Sequence, residues 1–310
     1  MTEKRELSVV IACHTQDRWD LIVKAIDSVL QQDGPSVSIV VSVDHEPVLY
    51  ERLKSNFPDI EVVENQFQGG ASGNRNSGVL ATSTALVAFL DDDASAKPGW
   101  LMHLTAIFED PEVICAGGSV NPAWEVAEPR WFPFEFAWVI GASHTGLPTA
   151  NATVRNVWSE NMVVRRNIFD EVGGFRLDFG KVGTTSRPED TDLCLRMQKA
   201  APNGAIMYVP DAKVDHHVSK ERGTFQFFLK RCYSEGRGKV ELASNNEGTS
   251  DLGDEQAWIR QTITRGFVRY MKLGIVERNP DQILRGGALI CGMAAAGIGA
   301  TLSVFRMLFG

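Results

Sequence analysis

Residues 85–94 read ALVAFLDDDA, an apolar run that is followed at once by three aspartates. The apolar run predicts a buried strand over Ala85–Leu90, with Asp91, Asp92 and Asp93 at its carboxyl end. In an open α/β sheet, ligands bind outside the carboxyl ends of the strands. Carboxylate oxygens on a short turn suit Mg²⁺ or Mn²⁺ bound to a diphosphate, whereas a solvated acidic turn is the alternative. Because the aspartates directly follow a predicted buried strand, the metal site is favoured over the solvated turn.

The chain on both sides of this strand alternates apolar runs with amphipathic stretches. A helical pattern runs from about Arg18 to Gln31. Further buried strands are predicted at Leu7–Ala12, Val37–Val43, Ile60–Val63, Val113–Gly117, Asn161–Arg165 and Ala205–Val209. Strands separated by helical patterns of this length are typical of βαβ units. The predicted fold class is therefore α/β, with a mainly parallel sheet flanked by helices.

Composition limits the classes of protein to consider. Of 310 residues, 44% are hydrophobic and 23% are charged, which excludes a disordered chain, collagen and a disulfide scaffold. The formal net charge of −8 argues against a nucleic-acid partner. The five cysteines are odd in number and widely spaced, which is typical of reduced thiols in a cytoplasmic protein. The first residues lack the apolar core of a signal peptide, so we expect a cytoplasmic location.

Two further elements carry acids or imidazoles. Glu189 and Asp190 open a predicted helix over Thr191–Lys199, where acids are often simple caps. His216 and His217 end a segment with strand character. Adjacent residues on a strand point to opposite faces, so at most one of these histidines meets the acids.

The glycine-rich stretch GGASGNRNSG, Gly69–Gly78, lacks the spacing of a Walker loop or a dinucleotide fingerprint. It contains Arg75, whose guanidinium suits bidentate contact with a phosphate or carboxylate. A flexible turn is the alternative interpretation of this stretch.

In chain order, the segments SVVIACHT, VSVD, GGASGNRNSG, FLDDDA, NMVVRR with VGGF, PEDTDLCLR and VPDAKVDHH resemble glycosyltransferase family 2, which has the GT-A fold. The resemblance covers roughly residues 7–218 and extends to a bacterial branch of the family. It implies a GT-A catalytic domain over residues 1–218, followed by a helical C-terminal region over residues 219–310. The implied activity is inverting transfer of a hexose from a nucleotide sugar, commonly UDP-linked.

The resemblance also implies the residues that bind the donor. His14 and Thr15 fall where the family holds the nucleotide base, and Asp44 matches the acid that bonds the base. Arg75 matches a basic residue near the nucleotide. His45-Glu46-Pro47 departs from the acid or Asn-Gly-Ser that usually follows Asp44 in this family.

The metal ligands are implied in the same way. Asp93 and Asp91 match the outer acids of the family's DxD motif, and His216 matches a histidine that contacts the metal or the diphosphate. Asp91 and Asp92 are also assigned to the nucleotide sugar. The implied cofactor is Mg²⁺ or Mn²⁺, which neutralises charge on the leaving diphosphate.

The acid pair supplies the catalytic base in this resemblance, with Asp190 as the base and Glu189 beside it. An acceptor hydroxyl is a weak nucleophile until a base takes its proton. The aromatic-rich stretch Trp124–Trp158 is a candidate wall for a sugar acceptor. The candidate contacts are Trp124, Trp131, Trp138 and Trp158, with Glu160 and Asn161 nearby in sequence. The alternative is that these rings form a core beneath a long loop.

Two other functions fit an acidic α/β site. A sugar nucleotidyltransferase normally has glycines with Arg and Lys after its first strand, but this chain reads ACHTQDRWD there. A non-catalytic protein that binds a nucleotide sugar or a membrane partner would have no need to keep the three acidic and histidine elements together.

The C-terminal region has features of a membrane surface or an oligomer contact. Basic residues are frequent over residues 220–239, and Trp258–Met271 has an amphipathic basic pattern after the polar linker Asn245–Asp254. Gly286–Phe305 is uncharged and carries a ridge of small residues, Ala288, Gly292, Ala296 and Ala300. The ridge could join two subunits or pack on neighbouring helices. We expect a glycan, a lipid-linked or a small-molecule acceptor. If the acceptor is lipid-linked, we expect the enzyme at the inner face of the cell membrane.

Overall fold

The computed structural model describes residues 7–34, 36–182, 185–245 and 265–309. The chain divides into two compact units. The sheet unit comprises Met1–Asn121 and Pro148–His216, and the helical unit comprises Pro122–Leu147 and His217–Gly310. Residues 246–254 of the predicted linker, and Trp258, Ile259 and Ile263 of the predicted amphipathic helix, lie outside the described residues.

The described strands of the main sheet are β1 Leu7–Cys13, β2 Val37–Val43, β3 Glu61–Glu64, β4 Leu86–Asp91, β5 Ala94–Ala96, β6 Val113–Trp124, β7 Ala152–Thr153, β8 Asn161–Arg165 and β11 Ala205–Val218. Their spatial order is β3-β2-β1-β4-β8-β6-β11-β5, and β7 pairs with β11. A separate pair comprises β9 Gly180–Val182 and β10 Thr185–Arg187.

The sheet is mixed. Strands β1 to β4 pair in parallel, whereas β8 runs antiparallel to both β4 and β6, and β11 runs antiparallel to β5 and β7. The parallel part is thus smaller than the sequence predicted, because apolar periodicity marks a strand but carries no information about its direction. The parallel register brings the ends of β1, β2 and β4 to one edge of the sheet.

Helices cover both faces of the sheet. They are α1 Trp19–Leu30, α2 Pro47–Asn56, α3 Ala71–Leu80, α4 Trp100–Ala106, α5 Arg166–Glu171 and α6 Glu189–Ala200. Val9 of β1 joins the core cluster on the side of α1, α2 and α4, and Val10 joins the cluster on the side of α3, α5 and α6. This alternation is the period-two pattern of a strand that is buried on both faces.

The glycine-rich stretch folds as helix α3, although its sequence is equally typical of a turn. Gly78 packs against Val10 of β1 so closely that a Cβ at this position would overlap that side chain. Asn74 Nδ2 donates to the carbonyl oxygens of Cys13 and Ser42, and Asn74 Oδ1 accepts from the Ser42 hydroxyl. These hydrogen bonds attach α3 to the ends of β1 and β2. They also satisfy the polar side chain of Asn74, which a buried helix requires.

The helical unit contains α7 Phe225–Asn245, α8 Phe267–Val276 and α9 Pro280–Phe309. A Cβ at Gly236 of α7 would overlap the backbone of Ala296, and one at Gly299 would overlap the backbone of Tyr233. Small residues therefore allow α7 and α9 to approach closely. The predicted ridge packs within the chain in this way, and Ala288 is buried.

The outer face of α9 is exposed and apolar, and it includes Ile298, Leu302 and Phe305. Within the described part of the chain, Pro280–Leu308 is one helix with the length and apolar composition needed to cross a membrane. Core helices of soluble proteins have the same properties, so this finding by itself does not place α9 in a membrane.

Candidate active site

The three aspartates lie where the sheet predicts them, at the carboxyl end of β4 and in the turn to β5. Asp92 and Asp93 are buried, and both bind Arg18. Arg18 Nη1 lies 2.7 Å from Asp92 Oδ1 and 3.0 Å from Asp93 Oδ2. Arg18 ends a short 3-10 helix, Gln16–Arg18, between β1 and α1, so the neighbouring strand β1 delivers this cation to the acids.

Arg75 of α3 connects the two acidic elements that the sequence singled out. Its Nη2 donates to Asp91 Oδ1 at 2.7 Å, and its Nη1 donates to Glu189 Oε1 at 3.2 Å. The Arg75 side chain is buried, and burial by itself would lower its pKa. Attraction to Asp91, Glu189 and Asp190 outweighs that effect and raises the pKa, so Arg75 stays charged.

Asp91, Glu160 and His216 form a candidate metal centre. One ligand atom from each of the three lies within 4.8 Å of the others. His216 is buried, and its Nε2 also lies 3.2 Å from Asp93 Oδ1. Two carboxylates and an imidazole are donors that bind Mn²⁺, and carboxylates also bind Mg²⁺. Three such donors within this distance of one another fit a divalent cation.

Three acids of the site, Asp92, Glu160 and Asp190, have raised pKa values. Burial, with repulsion from Asp93, raises the pKa of Asp92 to about 7. Burial, with repulsion from Asp91 and Asp190 outweighing attraction to His216, raises the pKa of Glu160 to about 8. Such clusters of perturbed acids are typical of functional sites.

Glu189 and Asp190 begin helix α6 directly after Pro188, and they differ in environment. Glu189 is held by Arg75, whereas Asp190 Oδ1 is buried without a hydrogen-bond partner in the described ranges. Burial and repulsion from Glu189 raise the pKa of Asp190 to about 7. The carboxyl group of Asp190 is thus the one of this pair that is suited to exchange a proton near neutral pH.

The predicted donor-binding residues follow β1 and β2. His14 is exposed, with its Nδ1 3.9 Å from Asp92 Oδ2, while the Thr15 hydroxyl accepts from the Asp17 backbone and caps the 3-10 helix. Asp44 accepts from Asn65 Nδ2 at 2.6 Å and from the Gly70 backbone at 2.8 Å. These bonds orient the Asp44 carboxylate and leave lone pairs for a further donor.

The predicted acceptor residues lie in different surroundings. Asn161 is buried, its Oδ1 accepts from Trp100 Nε1 at 2.7 Å, and its Nδ2 donates to the carbonyl oxygens of Ser119 and Ala212. The Asn161 amide is therefore used inside the fold and is inaccessible to an acceptor.

Trp131 and Trp158 belong to different units. Trp158 is half-buried in the sheet unit, whereas Trp131 packs edge-on against Phe225 and Phe228 in the helical unit. Trp131 thus contributes to an aromatic core, which is the alternative that the sequence left open.

Sequence reasoning missed Arg18, and it considered Glu160 only as a neighbour of the candidate acceptor residues. Arg18 has the signal of a cation placed just after the strand that neighbours β4 in the sheet. Glu160 directly precedes β8, whose register with β4 ends at Leu90 opposite Asn161, one residue before Asp91. Neither signal can be used until the order and direction of the strands are known.

Comparison with known proteins agrees with this geometry. The family model described as Glycosyl transferase family 2 matches residues 8–173. The chain is 27% identical over 299 residues to the glucosyl-dolichyl phosphate glucuronosyltransferase of Haloferax volcanii, covering 95% of each chain.

Two solved structures share the fold. The mannosyltransferase PcManGT of Pyrobaculum calidifontis, in complex with GDP-Man and Mn²⁺, superposes with a TM-score of 0.59 at 16% identity, covering 97% of this chain and 88% of that one. GalNAc-T7 with UDP, GalNAc and Mn²⁺ superposes with a TM-score of 0.55 at 16% identity, covering 83% of this chain and 54% of that one. The fold is therefore the GT-A fold.

The sheet, the acidic edge of β4 and the match over more than half of the chain lead to one assignment. The chain belongs to glycosyl transferase family 2.

Proposed function

We propose that this glycosyltransferase moves a hexose from a UDP-linked donor to an acceptor hydroxyl, with a divalent cation and with inversion at the anomeric carbon. The observation that carries this proposal is the bridge made by Arg75 between Asp91 and Glu189. Arg75 connects Asp91, one of the acids suited to bind a metal ion and the donor diphosphate, with Glu189 of the acidic pair suited to activate an acceptor hydroxyl. Inversion follows if the acceptor attacks opposite the leaving diphosphate.

We assign the divalent cation to Asp93, Asp91 and His216. When bound, Mg²⁺ or Mn²⁺ supplies positive charge to the leaving diphosphate. Arg18 holds Asp92 and Asp93 in place, and Arg75 holds Asp91. Fixed charges of this kind need no reorganisation during the reaction, which is the main advantage of a preorganised site.

We assign the catalytic base to Asp190. Its pKa of about 7 leaves a substantial fraction ionised at neutral pH while keeping the carboxylate a good proton acceptor. Glu189 is less suited because its carboxylate is already bound by Arg75. The proton of the acceptor hydroxyl would pass to Asp190 as the new glycosidic bond forms.

We assign the donor base to His14, Thr15 and Asp44, with Asp44 accepting an N–H of uracil. Support comes from the oriented Asp44 carboxylate at the end of β2, next to β1 in the sheet. The acceptor that we propose is a lipid-linked sugar. The Haloferax volcanii relative carries a lipid-linked sugar in its name, and α9 exposes an apolar face with Arg306 near its end. Contact with the inner face of the membrane would follow.

The proposal is tested with purified full-length protein and a panel of UDP-, GDP- and dTDP-sugars, in the presence of Mn²⁺ or Mg²⁺. Release of UDP, but not GDP or dTDP, with a glycosyl-lipid acceptor is the expected result. NMR of the product should give the anomeric configuration opposite to that of the donor. Absence of both hydrolysis and binding of every nucleotide sugar would contradict the enzyme function, and retention would contradict the mechanism.

Matched variants of the acid pair test the base. Asp190→Asn keeps the shape of the side chain and should lower turnover by roughly 10²–10⁴-fold while donor binding persists. Glu189→Gln removes the same charge one residue away and should lower turnover less. If Glu189→Gln is inactive and Asp190→Asn retains its rate, the base is Glu189.

A further inference from the structure

Among the described residues, Glu160 and Asp190 differ from the other four acids of the site because no arginine forms an ion pair with them. Asp91 and Glu189 are bound by Arg75, and Asp92 and Asp93 are bound by Arg18. Within the described residues, Glu160 forms no hydrogen bond or ion pair with Lys or Arg. An acidic group in such a place needs a cation from outside the protein or a proton.

Glu160 lies close to Asp91 at the end of β4. The antiparallel register of β4 and β8 ends at Leu90 opposite Asn161, and Glu160 occupies the turn just before β8. A carboxylate oxygen of Glu160 lies within 4.8 Å of one of Asp91, and like charges at this distance repel one another. The arrangement is unfavourable unless something binds between the two carboxylates.

His216 completes the site from a third strand. The register of β11 with β5 puts His216 opposite Ala94, just after the three aspartates. Ligand atoms of Asp91, Glu160 and His216 lie within 4.8 Å of one another. Ligand atoms bound to one Mg²⁺ ion at 2.0–2.1 Å are about 3–4 Å apart, so the three side chains would move closer together to hold one ion.

The geometry points to Glu160 as a direct ligand of the divalent cation, together with Asp91 and His216. This inference rests on the metal dependence in the proposed function and adds a ligand that the DxD pattern does not contain. Glu160 precedes β8 and is distant in sequence from both other ligands, so the cation would connect β4, β8 and β11. Binding of the ion would then order the edge of the sheet at which the donor is expected.

The first test measures Mn²⁺ alone, by electron paramagnetic resonance of the free ion in titrations of the full-length protein. Replacement of a group that merely orients a ligand typically costs 10–100-fold in metal affinity, so Glu160→Gln should raise the Kd for Mn²⁺ at least about tenfold. Glu189→Gln removes an equal charge from the acid bound to Arg75 and should change the Kd by less than about threefold, as a screened charge effect. Equal effects of the two substitutions would overturn the inference.

The second test detects ligation directly. Cys291 is exposed and the other cysteines are buried, so Cys291→Ser removes the exposed thiol that could bind Cd²⁺. In that background, Glu160→Cys should give an ultraviolet thiolate-to-metal band on addition of Cd²⁺, because thiolates prefer soft ions. Glu189→Cys should give no such band. The absence of a band from Glu160→Cys, in a protein with unchanged circular dichroism, would overturn the inference.

These tests separate the inference from the proposed function. If the wild-type enzyme needs Mn²⁺ for UDP release but Glu160→Gln binds Mn²⁺ as the wild type does, only the assignment of Glu160 fails. In that case a loss of transfer in Glu160→Gln would place the carboxylate against the acceptor. If the wild-type protein binds no Mn²⁺, both the ligand assignment and the metal dependence fail.

Discussion

Replacement of Arg75 by Met tests whether the bridge between the two acidic groups stabilises the site. The side chain of Arg75 is 8% exposed, and those of Asp91 and Glu189 are 26% and 16% exposed. Removing one member of a buried ion pair costs about 3–5 kcal/mol because an unpaired charge is left behind. Water reaches both carboxylates in part, so we expect about 2–3 kcal/mol for Arg75→Met, near or below the lower end of that range.

The assay is thermal unfolding of the full-length protein at pH 7.5 without metal. A loss of this size corresponds to a decrease in Tm of about 4–12 °C for a unit of this length. Arg75→Lys should give a smaller decrease, because one ammonium cannot span two acids as the guanidinium does. The control is Lys213→Met, which removes a cation from an exposed pair with Asp211 and should cost less than about 1 kcal/mol. A Tm for Arg75→Met within 2 °C of the Lys213→Met value would refute the reasoning.

Three further predictions concern pH, helix packing and Asn161. Burial raises the pKa of Asp92, Glu160 and Asp190 to between about 7 and 8, so between pH 4 and 8 the folded chain holds protons that the unfolded chain has released. The Tm of the metal-free protein should therefore fall as pH rises through this window, and excess Mg²⁺ should reverse most of the fall at pH 8; a flat profile would contradict the raised pKa values. Gly236→Val should destabilise the helical unit by about 3 kcal/mol or more because the new side chain overlaps the α9 backbone, whereas Gly297→Ala, which meets no atom within 4 Å, should leave near-ultraviolet circular dichroism and Tm unchanged or slightly improved. Asn161→Ala should lower stability by about 3 kcal/mol because it leaves Trp100 Nε1 unpaired, and a raised acceptor KM with unchanged Tm would instead support the acceptor contact.

Sequence motifs identify the acids and the histidine of the site but not the contacts between them. The DDD turn, Glu189-Asp190 and His216 could be named from the sequence because each follows or begins a predicted element. Their connection through Arg75 could not, since it depends on helix α3, and the glycine-rich sequence of α3 is typical of a turn. Burial of its asparagines against the ends of β1 and β2 decides the helix, and that burial exists only in the folded chain.

The two histidines show the same division. Alternation along a strand predicts that only one of them meets the acids, and this is what β11 provides, with His216 against Asp93 and His217 Nε2 3.9 Å from Glu125. Which one it is follows from the register of β11 with β5. A shift of one residue would exchange them.

The sequence by itself determined the α/β alternation, the family and the acids that end strands and begin helices, because periodicity and motif order are local properties of the chain. Only the tertiary structure decided that Arg18 binds the aspartates, that Asn161 is a buried structural residue and that Glu160 lies near Asp91 and His216. The physical reason is that these contacts join residues at least 42 positions apart in the chain, and whether such residues meet depends on the order, direction and register of the strands. Those properties arise from packing both faces of the sheet at once, and no single segment of the chain encodes them.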